Sequence, residues 1–189
     1  MPRCGRARSA AAAAGAAAAF LLCGLAFATV YLSQDEALKL AFPGATIERS
    51  TAFLTPEQRE EARRLAGADR LPDALVVSYR GVQDGRELGT AYFDTHLVRT
   101  QSETIMVVVT PTGTVARVEV LVFAEPEEYL PRSNWYGQFP GKALDDELRI
   151  RRGIRAVSGA TLTARATLEA VRRILAVHRV LHPIRPAGS

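Results

Sequence analysis

Ala156-Val157-Ser158-Gly159-Ala160-Thr161-Leu162-Thr163, running without a break into a long amphipathic segment, is the stretch on which the reading of this chain turns. From Leu162 to Val180 the apolar residues Leu162, Ala166, Leu168, Val171, Ile174, Leu175 and Val177 recur at three- and four-residue steps, and Arg165, Glu169, Arg172, Arg173 and Arg179 fall between them. That spacing predicts a helix with one apolar and one solvated basic face. Its first turn leaves backbone N–H groups without partners inside the helix, and these, with the positive end of the dipole, favour an anion. Thr161 and Thr163 are placed to donate to a phosphate or to carry one covalently. Equally, Ser158 or Thr161 serves as an ordinary helix cap.

Upstream, the pattern alternates between helix and strand signals. Gln34 to Ala41 reads as a short helix continuing from an N-terminal one and stopped by Pro43-Gly44. Thr55-Pro56-Glu57-Gln58 opens another that ends near Gly67, with Thr55 as cap, Pro56 in the first turn and Gln58 in the capping-box place. Leu75 to Arg80 and Glu87 to Asp94 flank an Asp84-Gly85 turn, and Thr104 to Thr110 and Thr114 to Phe123 flank Pro111-Thr112-Gly113, which makes two hairpins. The expected fold class is therefore α+β, an antiparallel sheet with packed helices behind an N-terminal anchor or signal helix. The expected division is a leader at 1–33, a helical lead-in at 34–73, the main domain at 74–183 and a tail at 184–189.

The Ser-Gly-Ala-Thr unit ahead of a helix, with Thr104 to Val109, the Pro111-Thr112-Gly113 turn and Val115 to Phe123 before it, resembles the FMN-binding domain family. That family includes extracytoplasmic domains of Rnf-type and sodium-pumping NADH:quinone reductase subunits and many small flavoproteins. The resemblance runs from about Gly89 to His178. It implies FMN as cofactor, esterified through its phosphate to Thr161 by a flavin transferase, with Ser158, Gly159, Ala160, Leu162 and Thr163 around it. It also implies that Glu125, in the acidic segment after the second hairpin, lies near the flavin ring. The family places Asp six residues before the modified Thr, where this chain has Arg155. That departure makes tight non-covalent FMN or an unusual transferase the alternative, while the basic cluster on and before the last helix is either a solvated face or, at Arg155 or Arg165, a counter-charge for the phosphate.

Pro126, Pro131 and Pro140 make the segment from Glu125 to Gly141 irregular, yet it carries Tyr129, Trp135, Tyr136 and Phe139. Such aromatic residues pin a loop to a core or stack on a flavin, and Trp135 and Tyr129 are the first candidates for stacking. His96 reads as a surface or hydrogen-bonded histidine, and His178 and His182 as partners of the negative end of the last helix. No His, Asp and Glu set has metal-ligand spacing.

Arg3, Arg6 and Arg8 precede an uncharged, Ala-rich run from Ser9 to Gln34. A basic flank followed by such a run is an export signal, and it is long enough to span a bilayer of roughly 30 Å if it is not cleaved after Ala28. The domain is thus expected on the extracytoplasmic side of a bacterial inner membrane. The only cysteines, Cys4 and Cys23, lie in that leader. This excludes disulfides, iron–sulfur clusters and Cys-linked haem from the rest of the chain. The net charge of +4 falls to +1 without the three leader arginines, too little for a nucleic-acid partner. Redox work then belongs to a bound organic cofactor. The expected function is a membrane-anchored flavin electron carrier serving a membrane redox partner, rather than an enzyme with its own substrate. The alternative is a sensor or assembly module that keeps the fold without flavin.

Overall fold

The computed structural model describes residues 28–69 and 73–183. The leader up to residue 27 and the tail from residue 184, for which an anchor helix and a free end are expected, lie outside the described residues. The described chain folds as β1 (Thr29–Val30), α1 (Gln34–Ala41), β2 (Thr46–Phe53), α2 (Pro56–Ala66), β3 (Leu75–Gln83), β4 (Arg86–Leu97), β5 (Ser102–Val109) and β6 (Val115–Phe123). A short 3-10 turn (Glu127–Tyr129), α3 (Ser133–Tyr136) and the long α4 (Thr161–Leu181) follow. The strands form one antiparallel sheet in the order β1-β6-β5-β4-β3-β2. The fold class is α+β, as the alternating patterns indicate.

Local chemistry explains the element ends. Asp84 and Gly85 both have positive φ, 51° and 73°, the geometry of a two-residue turn whose twist matches that of the strands it joins. α1 and α2 start in capping boxes, Ser33 with Glu36 and Thr55 with Gln58, and α2 ends on Gly67 in the left-handed conformation. β5 is buried on both faces, which accounts for its unbroken apolar run. Ile105, Val107 and Val109 pack under α4 with Tyr92, Val171 and Leu175. Met106 and Val108 pack on the opposite face with Ala37, Leu38 and Phe42 of α1 and its cap. A third cluster joins Ala62 and Ala66 of α2 to Ala176 and Val177 of α4. Gly81 is required by the second of these: a Cβ there would stand 2.5 Å from the Phe42 ring.

Three expectations change. The 34–73 segment is not only helical: β2 pairs with β3 along all eight residues, from Thr46 opposite Val82 to Phe53 opposite Leu75. Its polar alternation, Thr-Ile-Glu-Arg-Ser-Thr-Ala-Phe, suits an edge strand largely open to water, so it gives little apolar signal. α1 does not continue from a preceding helix, because Thr29 and Val30 pair with Phe123 and Val122 and Ser33 starts α1 afresh. His178, expected as a partner of the negative end of α4, is turned into the core instead. It is 4% exposed and hydrogen-bonded to the Tyr92 hydroxyl at 2.9 Å, and burial with the nearby His182 charge pushes its pKa down to about 4. Among the described residues no helix is long and apolar enough to cross a membrane.

Candidate flavin site at the start of the last helix

Ala160 is the N-cap of α4, and no side chain among the described residues caps the helix. Neither Ser158 nor Thr161 takes the capping role. The Thr161 hydroxyl donates to the Val157 carbonyl at 3.0 Å and stays on the exposed surface. The first-turn N–H groups are thus left to an outside acceptor, which is where a phosphate is stabilised. Gly159 has φ +83°, and a Cβ there would meet nothing within 4 Å. Glycine is therefore needed for its backbone angle, which turns the chain into the helix, and not for room.

Beside this turn lies an open cleft of about 640 Å³, within the size range of roughly 300–1,000 Å³ usual for small-molecule sites. Arg155, Val157, Ser158 and Ala160 form one side. Leu130, Trp135 and Gln138 form the other, with Arg132 and the carboxylates of Glu127 and Glu128 at its rim. The Arg155 backbone N–H and Nε both donate to Gln138 Oε1, at 2.8 and 3.3 Å, and its guanidinium makes no ion pair among the described residues. The Trp135 indole N–H donates to the Arg155 carbonyl at 2.8 Å. Trp135 is 6% exposed, with edge-on contacts to Tyr136 and Phe139 at 5.1 and 5.2 Å, so it is a fixed inner wall.

Other expected site residues are occupied differently. Thr163 is buried and its hydroxyl donates to the Tyr129 carbonyl, which takes it away from any phosphate. The Tyr129 ring carries the Arg99 guanidinium 4.4 Å from its centroid. Glu125 is buried, and its Oε1 accepts from the backbone N–H groups of Thr100 and Gln101 at 2.7 and 2.9 Å and from the Thr100 hydroxyl at 3.2 Å. The Thr100 amide is the main reason its carboxyl is held below the usual range. It organises the turn between β4 and β5 and does not line the cleft. Leu162 is half exposed beside Thr161, an apolar side chain free to face a ligand.

One polar cluster escapes sequence reasoning. His96 Nδ1 lies 2.9 Å from Asp94 Oδ1 and its Nε2 lies 2.9 Å from Oε2 of the fully buried Glu103. The Thr167 and Tyr136 hydroxyls also donate to Glu103, and Arg173 pairs with Asp94 at 3.1 Å. Asp94, His96 and Arg173 line a second cavity of about 340 Å³ between β3, β4 and α4, which has no uncapped helix terminus. The one sequence signal was the pair of polar residues, Glu103 and Thr167, standing at positions that the strand and helix periods assign to the core.

The described chain is an α+β domain with an uncapped start to its last helix, a surface Thr in the first turn and a cleft beside it. Residues 101–176 match the family model of the FMN-binding domain, and FMN is the cofactor that this match indicates. The crystal structure of Shewanella oneidensis NqrC is similar in fold, with a TM-score of 0.53 at 16% identity, over 79% of this chain and 90% of that one. No curated protein matches the chain in sequence.

Proposed function

We propose that the protein is an extracytoplasmic electron carrier that works through FMN held at the start of α4, with the FMN phosphate esterified to Thr161. The observation that carries this reading is the uncapped start of α4 with an exposed Thr161 hydroxyl beside an open cleft. The donor set fits FMN. First-turn N–H groups and the Arg155 guanidinium, which makes no ion pair among the described residues, match a phosphate, and the Arg meets the charge that the missing Asp would have repelled. Leu130, Leu162 and the Trp135 wall offer apolar surface to an aromatic ring. FMN, when bound, supplies the electron chemistry, and the chain supplies position and surroundings.

Arg155 is held by Gln138 at the cleft side and Trp135 is held by the Arg155 carbonyl, so the charge and the ring wall move together. A phosphoester between Thr161 Oγ1 and the phosphate, formed with net loss of one water and installed by a flavin transferase, would keep the flavin outside the cytoplasm. The basic flank and uncharged run of the leader support anchoring at the outer face of a bacterial inner membrane, next to a membrane redox partner.

The test is the intact mass and visible spectrum of the chain from Ala28 onward, exported together with a flavin transferase. The expected result is a yellow protein heavier by one FMN less one water, with the increment lost in Thr161→Ala. Yellow protein without the increment would replace the ester by non-covalent FMN. Colourless protein that takes up no added FMN would overturn the flavin reading and leave the sensor or assembly module.

A further inference from the structure

Glu103 is the second residue of β5, on the face turned toward α4 and directly across the β4–β5 ladder from His96. It is fully buried, and every polar group around it comes from a different part of the fold. Thr167 Oγ1 on α4 lies 2.9 Å from Glu103 Oε2 and also 2.9 Å from the Thr163 carbonyl. Tyr136 on α3 donates to Oε1 at 3.3 Å, and His96 Nε2 on β4 meets Oε2 at 2.9 Å. Thr167 sits six residues beyond Thr161, about 9 Å along the helix axis. Tyr136 follows Trp135, the inner wall of the cleft, and the two rings touch edge-on. One carboxylate therefore ties together the helix that presents Thr161 and the helix that presents the ring wall.

The geometry also fixes the state of His96. Both of its ring nitrogens stand 2.9 Å from carboxylate oxygens, Asp94 on one side and Glu103 on the other. A neutral imidazole would turn a lone pair toward one of those oxygens, whereas the imidazolium donates to both. Buried ionic clusters are poor sources of net stability, because desolvation offsets most of the attraction, and apolar residues of the same volume would pack this space as well. Directional bonds to two helices are what the cluster provides and a hydrophobic plug does not.

We propose that Glu103 is the positioning residue of the flavin site, fixing α4 and α3 relative to each other, with the His96 imidazolium as the counter-charge that holds it in place. This rests on the flavin reading above. Loss of the His96 proton sets a lone pair against a buried carboxylate, loosens the joint and alters the surroundings of the flavin ring. The groups facing His96 are Asp94 on its own strand, Glu103 from β5, Thr167 and Arg173 from α4 and Tyr136 from α3. Burial pulls the His96 pKa down, but the hydrogen bonds and charges of Asp94 and Glu103 outweigh it and raise it to about 9.

The experiment uses the flavin-loaded protein and follows the visible circular dichroism of the bound flavin from pH 6 to 10, with the His96 ring signals read by NMR in the same samples. In the wild type the dichroism is expected to change with the His96 midpoint. In Glu103→Gln that midpoint falls, His96 holding its proton at least roughly tenfold less tightly, and the dichroism at pH 7 already differs. Tyr136→Phe and Thr167→Val each cut one tie and keep both carboxylates. They are expected to alter the flavin dichroism at pH 7 with little change in the His96 midpoint, and they carry the test if Glu103→Gln does not fold. Flavin dichroism that stays flat while His96 titrates, or that is the same in the wild type and in Tyr136→Phe and Thr167→Val, would overturn the positioning role while leaving the flavin reading intact. A wild type that takes up no flavin would remove both.

Discussion

Gly159 and Thr161 show how much of the site rests on single residues. The left-handed φ of Gly159 costs an L-residue about 1 kcal/mol, and with open space around it the cost in Gly159→Ala is backbone strain alone. Because α4 is anchored along its length by the core, that strain is expected to appear as a misdirected first turn. Flavin incorporation in Gly159→Ala should drop several-fold on mass analysis while the melting temperature moves by only a few degrees. The Ser-Gly-Ala-Thr unit and the helix after it are legible in the sequence, since small residues and a 3.6-residue period are local signals. The fates of Glu125, Tyr129 and Thr163 are not. Each spends its polar atoms on a partner at least 24 positions away, Thr100 and Gln101 for Glu125, Arg99 and Thr163 for Tyr129.

Among the elements, the joint between α2 and α4 depends on a residue that the helical pattern places on the solvated face. Arg172 is 8% exposed, and its guanidinium donates to the carbonyls of Ala66, Asp145 and Leu148 at 2.9, 2.9 and 3.0 Å. Burial is the main cause that lowers its pKa, and three carbonyls stand in for the carboxylate a buried guanidinium usually meets. Arg172→Met keeps the stem and removes the donors, leaving those carbonyls unsatisfied at a cost of about 3 kcal/mol. Urea unfolding should show that loss, and amide exchange should quicken in α2 before the sheet. Helix periodicity identified α4 and its apolar stripe, and capping boxes located α1 and α2. β2 gives no such signal, because a largely exposed edge strand with one partner needs no regular apolar alternation.

For the whole molecule, two buried histidines set opposite limits on stability. His96 keeps its proton to about pH 9 in the folded chain against 6.5 for a free histidine side chain, so its contribution is complete below pH 6.5 and is lost as pH rises toward 9. His178, held neutral down to about pH 4, works the other way. The unfolded chain takes up that proton first, and stability falls as pH drops from 6.5 toward 4. Each displacement of about 2.5 pH units corresponds to about 3 kcal/mol. Unfolding free energy should therefore peak near pH 6.5 and decline on both sides, and His96→Leu should flatten the alkaline limb. A profile that rises from pH 7 to 9 would contradict the imidazolium between Asp94 and Glu103. The sequence by itself determined the α+β class, both hairpins, the capped helices and the Ser-Gly-Ala-Thr turn ahead of the last one, because turns, caps and periodicities are written within a few neighbouring residues. Only the tertiary structure decided the sheet order with β2 at its edge, the cleft beside Thr161, and the Asp94, His96, Glu103 and Thr167 cluster. Those features join residues far apart in the chain, Thr29 with Phe123 in the sheet and Glu103 with Thr167 in the cluster, and such pairings are fixed by packing and by the need to satisfy buried charge, neither of which leaves a local pattern.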